Sequence, residues 1–103
     1  MLDTGDMYVI DFETRSDVDI KLGLPSYMAG KKFKALCLGY GVLNSGEHKV
    51  WRDDGIAKDG DPSDLLQHVE NGGYVIAHNA IFEYMTWEFY CRRVLGWPKL
   101  KLE

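Results

Sequence analysis

Residues 8–14 read YVIDFET, an apolar run that carries two acidic side chains near its end. Its β-branched and aromatic residues are typical of a β-strand. Successive side chains of a strand point to opposite faces, so Asp11 and Glu13 should project from the same face. Two carboxylates this close repel each other, and such an arrangement usually needs a cation or a shared proton. The stretch therefore predicts a metal-binding pair of carboxylates on the strand around which the sheet is built.

The length and composition of the chain fit one small folded domain. Its 103 residues are 46% hydrophobic and 13% aromatic, which is more than a disordered chain carries. We therefore expect a single domain over residues 1–103. No apolar run reaches the roughly 18 residues of a membrane span. The two cysteines, Cys37 and Cys91, lie in apolar segments, where buried and reduced thiols are expected rather than a disulfide.

The net charge of −4 argues against a surface that holds nucleic acid by charge alone. This net charge is compatible with a nucleic-acid enzyme whose acidic site is neutralised by divalent cations. A short basic patch, formed by Lys31, Lys32 and Lys34 around Phe33, offers possible contacts to a phosphate backbone. A solvated loop is the favoured interpretation of this patch.

The order of the remaining elements predicts a mixed sheet covered by helices. The patterns indicate a short helix over 16–22 with Ser16 as N-cap, a helical turn around 26–29, a hairpin of strands 35–43 and 48–51, a helix from Pro62 capped by Asp61, a strand over 74–77, and a helix from Ala80 to about Leu95. A hairpin attached to the first strand, followed by a helical crossover, fits an α/β domain. A three-layer domain of ribonuclease-H type fits this order, although periodicity alone does not separate it from other α/β arrangements.

A second group of polar residues opens the last predicted helix. Asn79 and Glu83 are four positions apart, so they share one face of that helix. If the strand over 74–77 lies beside residues 8–10, both side chains face Asp11 and Glu13. Three carboxylates and an amide would then surround a site for hard cations with oxygen ligands, meaning Mg²⁺ or Mn²⁺.

The two groups of residues resemble the motifs of a known family. The sequence IDFET, residues 10–14, resembles the first motif of the DEDD family of 3′–5′ exonucleases, Asp-x-Glu at the end of the first strand. The sequence NAIFE, residues 79–83, resembles their second motif, Asn-x-x-Phe/Tyr-Asp at a helix start. Residues 11–16 and 77–83 are closer still to the proofreading domain of phage-type family A DNA polymerases. The resemblance runs from about residue 7 to 98, and two motifs in the right order are far more specific than Asp-x-Glu alone.

The resemblance implies a ribonuclease-H-like fold and a two-metal hydrolysis of the terminal phosphodiester at a single-stranded 3′ end of DNA. It implies a polymerase domain as the partner in a full-length protein, and the cytoplasm of a bacterial host as the location. It also assigns roles to residues. Asp11 would bridge two ions of Mg²⁺ or Mn²⁺, Glu13 would help to hold the ion that activates water, Glu83 would support a metal, and Thr14, Asn79 and Phe82 would bind the last nucleotide.

Two departures from the family pattern bear on activity. Glu83 is one methylene longer than the usual aspartate, so its metal contact is expected to shift or to run through water. The third motif, Tyr- or His-x-x-x-Asp, has no match after Glu83, where the later acids are Glu88 and Glu103. We therefore expect a truncated domain with weak metal binding and little or no nuclease activity. A sheet without its last strand would expose an open edge and favour self-association.

Each candidate residue also has an ordinary structural explanation. Asn79 alone is more often a simple N-cap, and Glu83 alone is more often a solvated helix residue. Phe82 lies at core spacing within its helix, so its assignment to nucleotide binding is secondary. The alternative for the whole chain is a catalytically inactive ribonuclease-H-like module that binds nucleic acid or protein.

Overall fold

A computed structural model of the chain describes residues 7–53 and 62–100, in which four strands form one mixed sheet. The strands are β1, Tyr8–Arg15; β2, Lys34–Val42; β3, Lys49–Arg52; and β4, Val75–Ile76. Their order across the sheet is β3-β2-β1-β4. β1 pairs antiparallel with β2 and parallel with β4, while β2 and β3 form an antiparallel hairpin. The predicted hairpin and its attachment to the first strand are confirmed.

The rest of the regular structure in the described residues is helical. They are α1, Leu24–Ala29; α2, Ser63–Glu70; and α3, Ala80–Thr86, which continues as a π-helix over Trp87–Arg92. A 3₁₀ turn, Ile20–Leu22, precedes α1. The chain is therefore an α/β protein in which α2 leads from the hairpin to β4, as the order of the sequence patterns predicts. In the part of the chain that the structure describes, no helix is long and apolar enough to cross a membrane.

The predicted helix over 16–22 is wrong, except for its last turn. The 3₁₀ turn begins after Asp19, whose carboxylate accepts a hydrogen bond from the Lys21 amide at 2.9 Å. Ser16 does not cap a helix. Its hydroxyl donates to the carbonyl of Tyr27 at 2.6 Å and accepts from the amide of Val18 at 3.1 Å. The predicted cap at Asp61 lies outside the described residues.

The core lies between one face of the sheet and the helices. Burial alternates along β1 from Ile10 onward, so Ile10 and Phe12 are buried while Asp11 and Glu13 are exposed. Both longer helices pack on the Phe12 side: the ring of Trp87 lies 6.4 Å from that of Phe12. On the α2 side, the ring of His68 lies 4.5 Å from that of Tyr8. The buried cluster consists of Ile10, Phe12, Ala35, Leu38, Tyr40, Trp51, Leu65, Val69, Trp87, Tyr90, Cys91 and Leu100.

Candidate functional site

Asp11 and Glu13 lie together on the exposed face of β1. Both side chains are exposed, and the buried Phe12 between them points to the opposite face. Across the sheet, Asp11 pairs with Gly39 of β2 and Glu13 pairs with Cys37. The predicted sharing of one strand face is therefore confirmed. It places two carboxylates at the surface, in the half of β1 that runs past the end of β4.

The parallel pairing of β1 with β4 brings the start of α3 to the same region. Tyr8 pairs with Val75 and Val9 pairs with Ile76, after which β4 ends. The chain then enters α3 at Ala80, with Asn79 as the N-cap whose side-chain oxygen accepts from the Phe82 amide at 3.4 Å. The predicted neighbourhood of the two strands, and the capping role of Asn79, are confirmed.

Glu83 is buried and hydrogen-bonded to the backbone of β1. The side chain is only 3% exposed, and its Oε1 accepts from the Phe12 amide at 2.9 Å. The Tyr8 amide donates to the Tyr74 carbonyl across the β1–β4 edge at 3.2 Å. Since alternate amides of a strand point to the same edge, the Phe12 amide points beyond the end of β4. Glu83 therefore takes the place of the carbonyl that a longer β4 would supply, a contact that the sequence alone did not reveal.

The electrostatic environment connects Glu83 with Asp11. Burial raises the pKa of Glu83 above its ordinary value of 4.5, and the negative charge of Asp11 raises it further, while the Phe12 amide acts in the opposite direction. The charge of Asp11 therefore affects the ionisation of Glu83. Glu13, the third predicted acid, lies on the same strand face as Asp11.

Glu13 has a thiol as its neighbour across the strands. The Sγ of Cys37 lies 3.8 Å from its Oε2. Burial, and next the charge of Glu13, raise the pKa of Cys37. A thiol held in its protonated form is a poor metal ligand, because the thiolate is the ligating form. The oxygen atoms of Asp11 and Glu13 are therefore the donors that suit a cation here, and their chemistry fits Mg²⁺ or Mn²⁺.

The carboxylates do not surround a common point. Among residues 7–53 and 62–100, no group of three or more His, Cys, Asp or Glu side chains is arranged to hold a metal ion. The hydrogen bond from Phe12 engages one oxygen of Glu83, which separates its role from that of the two exposed acids. Metal binding by Asp11, Glu13 and Glu83 stays a prediction.

The residues assigned to the nucleotide have structural contacts of their own. The Thr14 hydroxyl shares a hydrogen bond of 2.8 Å with the hydroxyl of Tyr27. Phe82 is partly buried and packs against the core cluster. A role of Thr14, Asn79 and Phe82 in holding a nucleotide stays a prediction, because no described contact tests it.

His48 is a neighbour of the site that the sequence analysis missed. A Cβ placed on Gly39 would lie 3.1 Å from Cε1 and 3.3 Å from Nε2 of the His48 ring. Directly paired residues of antiparallel strands share a face, and Gly39 pairs with Asp11. The imidazole therefore lies over Gly39 on the Asp11 side of the sheet. A glycine inside a predicted strand signals such a close approach, although it does not say which side chain approaches.

The opposite side of β1 contains a small cavity. It has a volume of about 100 Å³ and is lined mainly by apolar residues of β1, β4 and α3, together with Glu83. This volume has room for a few water molecules. It is too small for a nucleotide, so the exposed face with Asp11 is the better candidate for a substrate.

Comparison with known proteins does not assign the chain: no family model matches it, and neither does any curated protein or solved structure. The functional assignment therefore depends on the two motifs and on their positions in the fold.

Proposed function

We propose that the chain is a metal-binding portion of a 3′–5′ exonuclease domain of the DEDD family, with a ribonuclease-H-like fold. It is most similar in its motifs to the proofreading domain of a phage-type family A DNA polymerase. The substrate is the single-stranded 3′ end of DNA, and the polymerase domain is the implied partner. The observation that supports this proposal is the hydrogen bond between Glu83 and the Phe12 amide, which joins the second motif to the backbone between Asp11 and Glu13.

The exposed acids of β1 are the proposed ligands. Asp11 and Glu13 present carboxylate oxygens from one strand face, which suits Mg²⁺ or Mn²⁺. When bound, such ions supply positive charge that stabilises the phosphoryl oxygens and acidifies a bound water. Thr14, Asn79 and Phe82 would orient the terminal nucleotide, as the resemblance implies.

Glu83 has two effects in this proposal. Its hydrogen bond fixes the backbone between the two exposed acids, and its charge adds to that of Asp11. Two interacting carboxylates attract a divalent cation more strongly than one. A cation beside Asp11 would also oppose the effects of burial and of Asp11, and would lower the pKa of Glu83. Glu83 therefore acts first as a positioning residue for the strand that carries the ligands.

Calorimetric titration with Mn²⁺ at neutral pH tests the proposed ligands. We expect saturable binding by the native chain and loss of most of the binding heat in Asp11→Asn, because the amide removes a charged donor. Asp19→Asn is the matched control, since Asp19 is exposed and an Asn preserves its oxygen for the Lys21 amide. Equal binding by Asp11→Asn and the native chain would exclude Asp11 as a ligand.

Shortening of a 5′-labelled single-stranded oligonucleotide in the presence of Mn²⁺ tests the reaction itself. The sequence after Glu83 has no Tyr- or His-x-x-x-Asp, so we expect at most slow hydrolysis by these 103 residues. Any shortening that depends on the site should disappear in Asp11→Asn and persist in Asp19→Asn. Shortening at the same rate by the native chain, Asp11→Asn and Asp19→Asn would exclude Asp11 from catalysis.

A second candidate is a ribonuclease-H-like module that binds nucleic acid or protein without catalysis. It is favoured by the lack of a three-ligand group within the described residues. This candidate predicts that Mn²⁺ does not bind at Asp11 and that oligonucleotide binding is the same with and without chelator. The Mn²⁺ titration therefore distinguishes the two functions.

A further inference from the structure

The connection between β1 and β2 concentrates positive charge in an otherwise acidic chain. Residues 15–34 contain five basic side chains and two acidic ones, whereas the whole chain has a net charge of −4. The basic residues are Arg15, Lys21, Lys31, Lys32 and Lys34. A local excess of this kind attracts a polyanion only if the positive groups lie on one surface at fixed positions.

Hydrogen bonds fasten this connection to the end of β1. Tyr27 of α1 takes part in two of them. Its hydroxyl shares a hydrogen bond of 2.8 Å with the Thr14 hydroxyl, and its backbone carbonyl accepts one of 2.6 Å from the Ser16 hydroxyl. The Lys32 amide donates to the carboxylate of Asp17 at 3.0 Å, which keeps the pKa of Asp17 below its usual value. The connection is therefore held against β1, while Lys31 and Lys32 lie in a solvent-exposed turn, as the sequence predicts.

Aromatic packing supports the same segment from the core side. The ring of Phe33 lies 5.6 Å from that of Tyr27 and 6.3 Å from that of Tyr90, in both cases edge to face. The adjacent Lys34 forms an ion pair of 2.8 Å with Asp53. Lys31 and Lys32 thus extend from an anchored backbone, and their own side chains are exposed.

The position of these lysines relative to the acidic site is set by the sheet. Arg15, the last residue of β1, pairs with Lys34, the first residue of β2. Lys31 and Lys32 immediately precede that pair, and Arg15 follows Glu13 by two positions on the same strand. Exposed positive charge therefore adjoins the end of the strand that carries Asp11 and Glu13.

We propose that Arg15, Lys31 and Lys32 form a phosphate-binding surface, here called the basic surface, for the single strand of DNA whose 3′ end reaches Asp11 and Glu13. The inference rests on the proposed function for the identity of the polyanion. Carboxylates alone repel phosphates, so a neighbouring positive surface is needed to hold the strand before any cation neutralises the acids. Contacts of this kind go to the backbone and do not select a base sequence.

Fluorescence anisotropy with a short 5′-labelled oligothymidine, measured in EDTA at several salt concentrations, tests the basic surface. In the double variant Lys31→Gln/Lys32→Gln we expect roughly ten- to a hundredfold weaker binding at low salt. The slope of log Kobs against log salt should fall in magnitude by about 1.4, since each phosphate contact to a single strand contributes about 0.7. Only the backbone amide of Lys32 takes part in the bond to Asp17, so both substitutions preserve the anchoring contact.

Lys49→Gln is the control for lost charge. Lys49 pairs with Tyr40, towards the far end of β2 from Lys34, and its ammonium contacts Asp64 at 2.9 Å. We expect its removal to leave the salt slope unchanged. A native chain that does not bind the oligonucleotide in EDTA would overturn the inference, as would a double variant whose slope matches that of Lys49→Gln. Binding to anionic vesicles in place of DNA would also overturn it.

The same set of proteins separates this inference from the proposed function. Asp11→Asn should lose Mn²⁺ binding while retaining oligonucleotide binding in EDTA, and the double lysine variant should show the opposite behaviour. If Asp11→Asn binds Mn²⁺ normally, the proposed function fails and the basic surface stands on its own result. If the double variant binds the oligonucleotide like the native chain while Asp11→Asn loses Mn²⁺ binding, the basic surface fails and the metal site stands.

Discussion

At the scale of single residues, Glu83 combines a structural and an electrostatic role. It satisfies the Phe12 amide where β4 has ended, and it does so as a buried carboxylate next to Asp11. A buried amide without a partner costs about 1–3 kcal/mol, so the hydrogen bond offsets part of the penalty of burying the charge. The sequence indicated that Glu83 faces the acids of β1, but a hydrogen bond across 71 residues depends on the finished fold.

Substitution of Glu83 should separate its two roles. Glu83→Gln keeps an oxygen for the Phe12 amide and removes the charge, whereas Glu83→Ala leaves the amide unpaired and should cost about 1–3 kcal/mol of unfolding free energy. The pKa of Glu83 is higher in the folded state than its ordinary value of 4.5. The native chain should therefore lose stability as the pH rises above 4.5. Glu83→Gln should therefore be more stable than the native chain at neutral pH, and this advantage should vanish below pH 4.5.

Urea unfolding at acid and neutral pH measures these differences. The contrary result is a Glu83→Gln protein that is destabilised as strongly as Glu83→Ala at neutral pH. That outcome would mean that the charged carboxylate, and not its acceptor oxygen, stabilises the junction of β1 and α3.

At the scale of elements, the strands and the longer helices were predictable because their patterns are local. The alternation of β1 runs through residues 10–13, and α2 ends at its C-cap, Asn71, which is followed by Gly72 at a positive φ of 80°. The helix over 16–22 was predicted wrongly because the hydroxyl of Ser16 bonds to Tyr27, which lies 11 positions away. The placement of His48 over Gly39 likewise depends on the pairing of β2 with β3, which turns a remote residue into a neighbour.

Two glycines of β2 should differ in their tolerance of alanine. A Cβ at Gly41 would collide with the backbone carbonyl of Glu47, so Gly41→Ala should cost roughly 1–3 kcal/mol. A Cβ at Gly39 would crowd the exposed ring of His48, which can move, and would lie at an ordinary contact distance of 3.8 Å from the Asp11 carbonyl, so Gly39→Ala should cost less than about 1 kcal/mol.

Denaturant unfolding of both variants gives the comparison, and the NMR signals of the His48 ring report its displacement in Gly39→Ala. If Gly39→Ala is the more destabilised protein, the ring of His48 is held in place more firmly than its exposure suggests.

At the scale of the whole molecule, the sheet has β3 and β4 as its outer strands in the described part of the chain. β4 is short, and the side chains of Ile76 and its neighbour Tyr74 are 40% and 37% exposed. Open strand edges with apolar side chains are templates for pairing with another chain. The expected self-association through the sheet edge stays a prediction that this arrangement supports.

Sedimentation velocity over a range of protein concentrations should show a dimer or a larger oligomer. Ile76→Lys should shift the distribution towards the monomer, because a lysine on an edge strand opposes pairing. Ile20→Lys is the matched control, since Ile20 is 53% exposed and lies in the 3₁₀ turn, which is not part of the sheet. A clean monomer at every concentration would contradict the prediction, and equal effects of both substitutions would place the contact elsewhere.

The proposed ligands, Asp11 and Glu13, should hold a divalent cation on the exposed face of β1. Paramagnetic Mn²⁺ broadens the NMR signals of nearby amides, so its position can be located in the uniformly ¹⁵N-labelled chain. We predict that substoichiometric Mn²⁺ first broadens the amide signals of Asp11, Phe12 and Glu13, and that Asp11→Asn removes this selectivity. Selective broadening at a different group of acids, or uniform broadening along the chain, would exclude a cation site at Asp11 and Glu13.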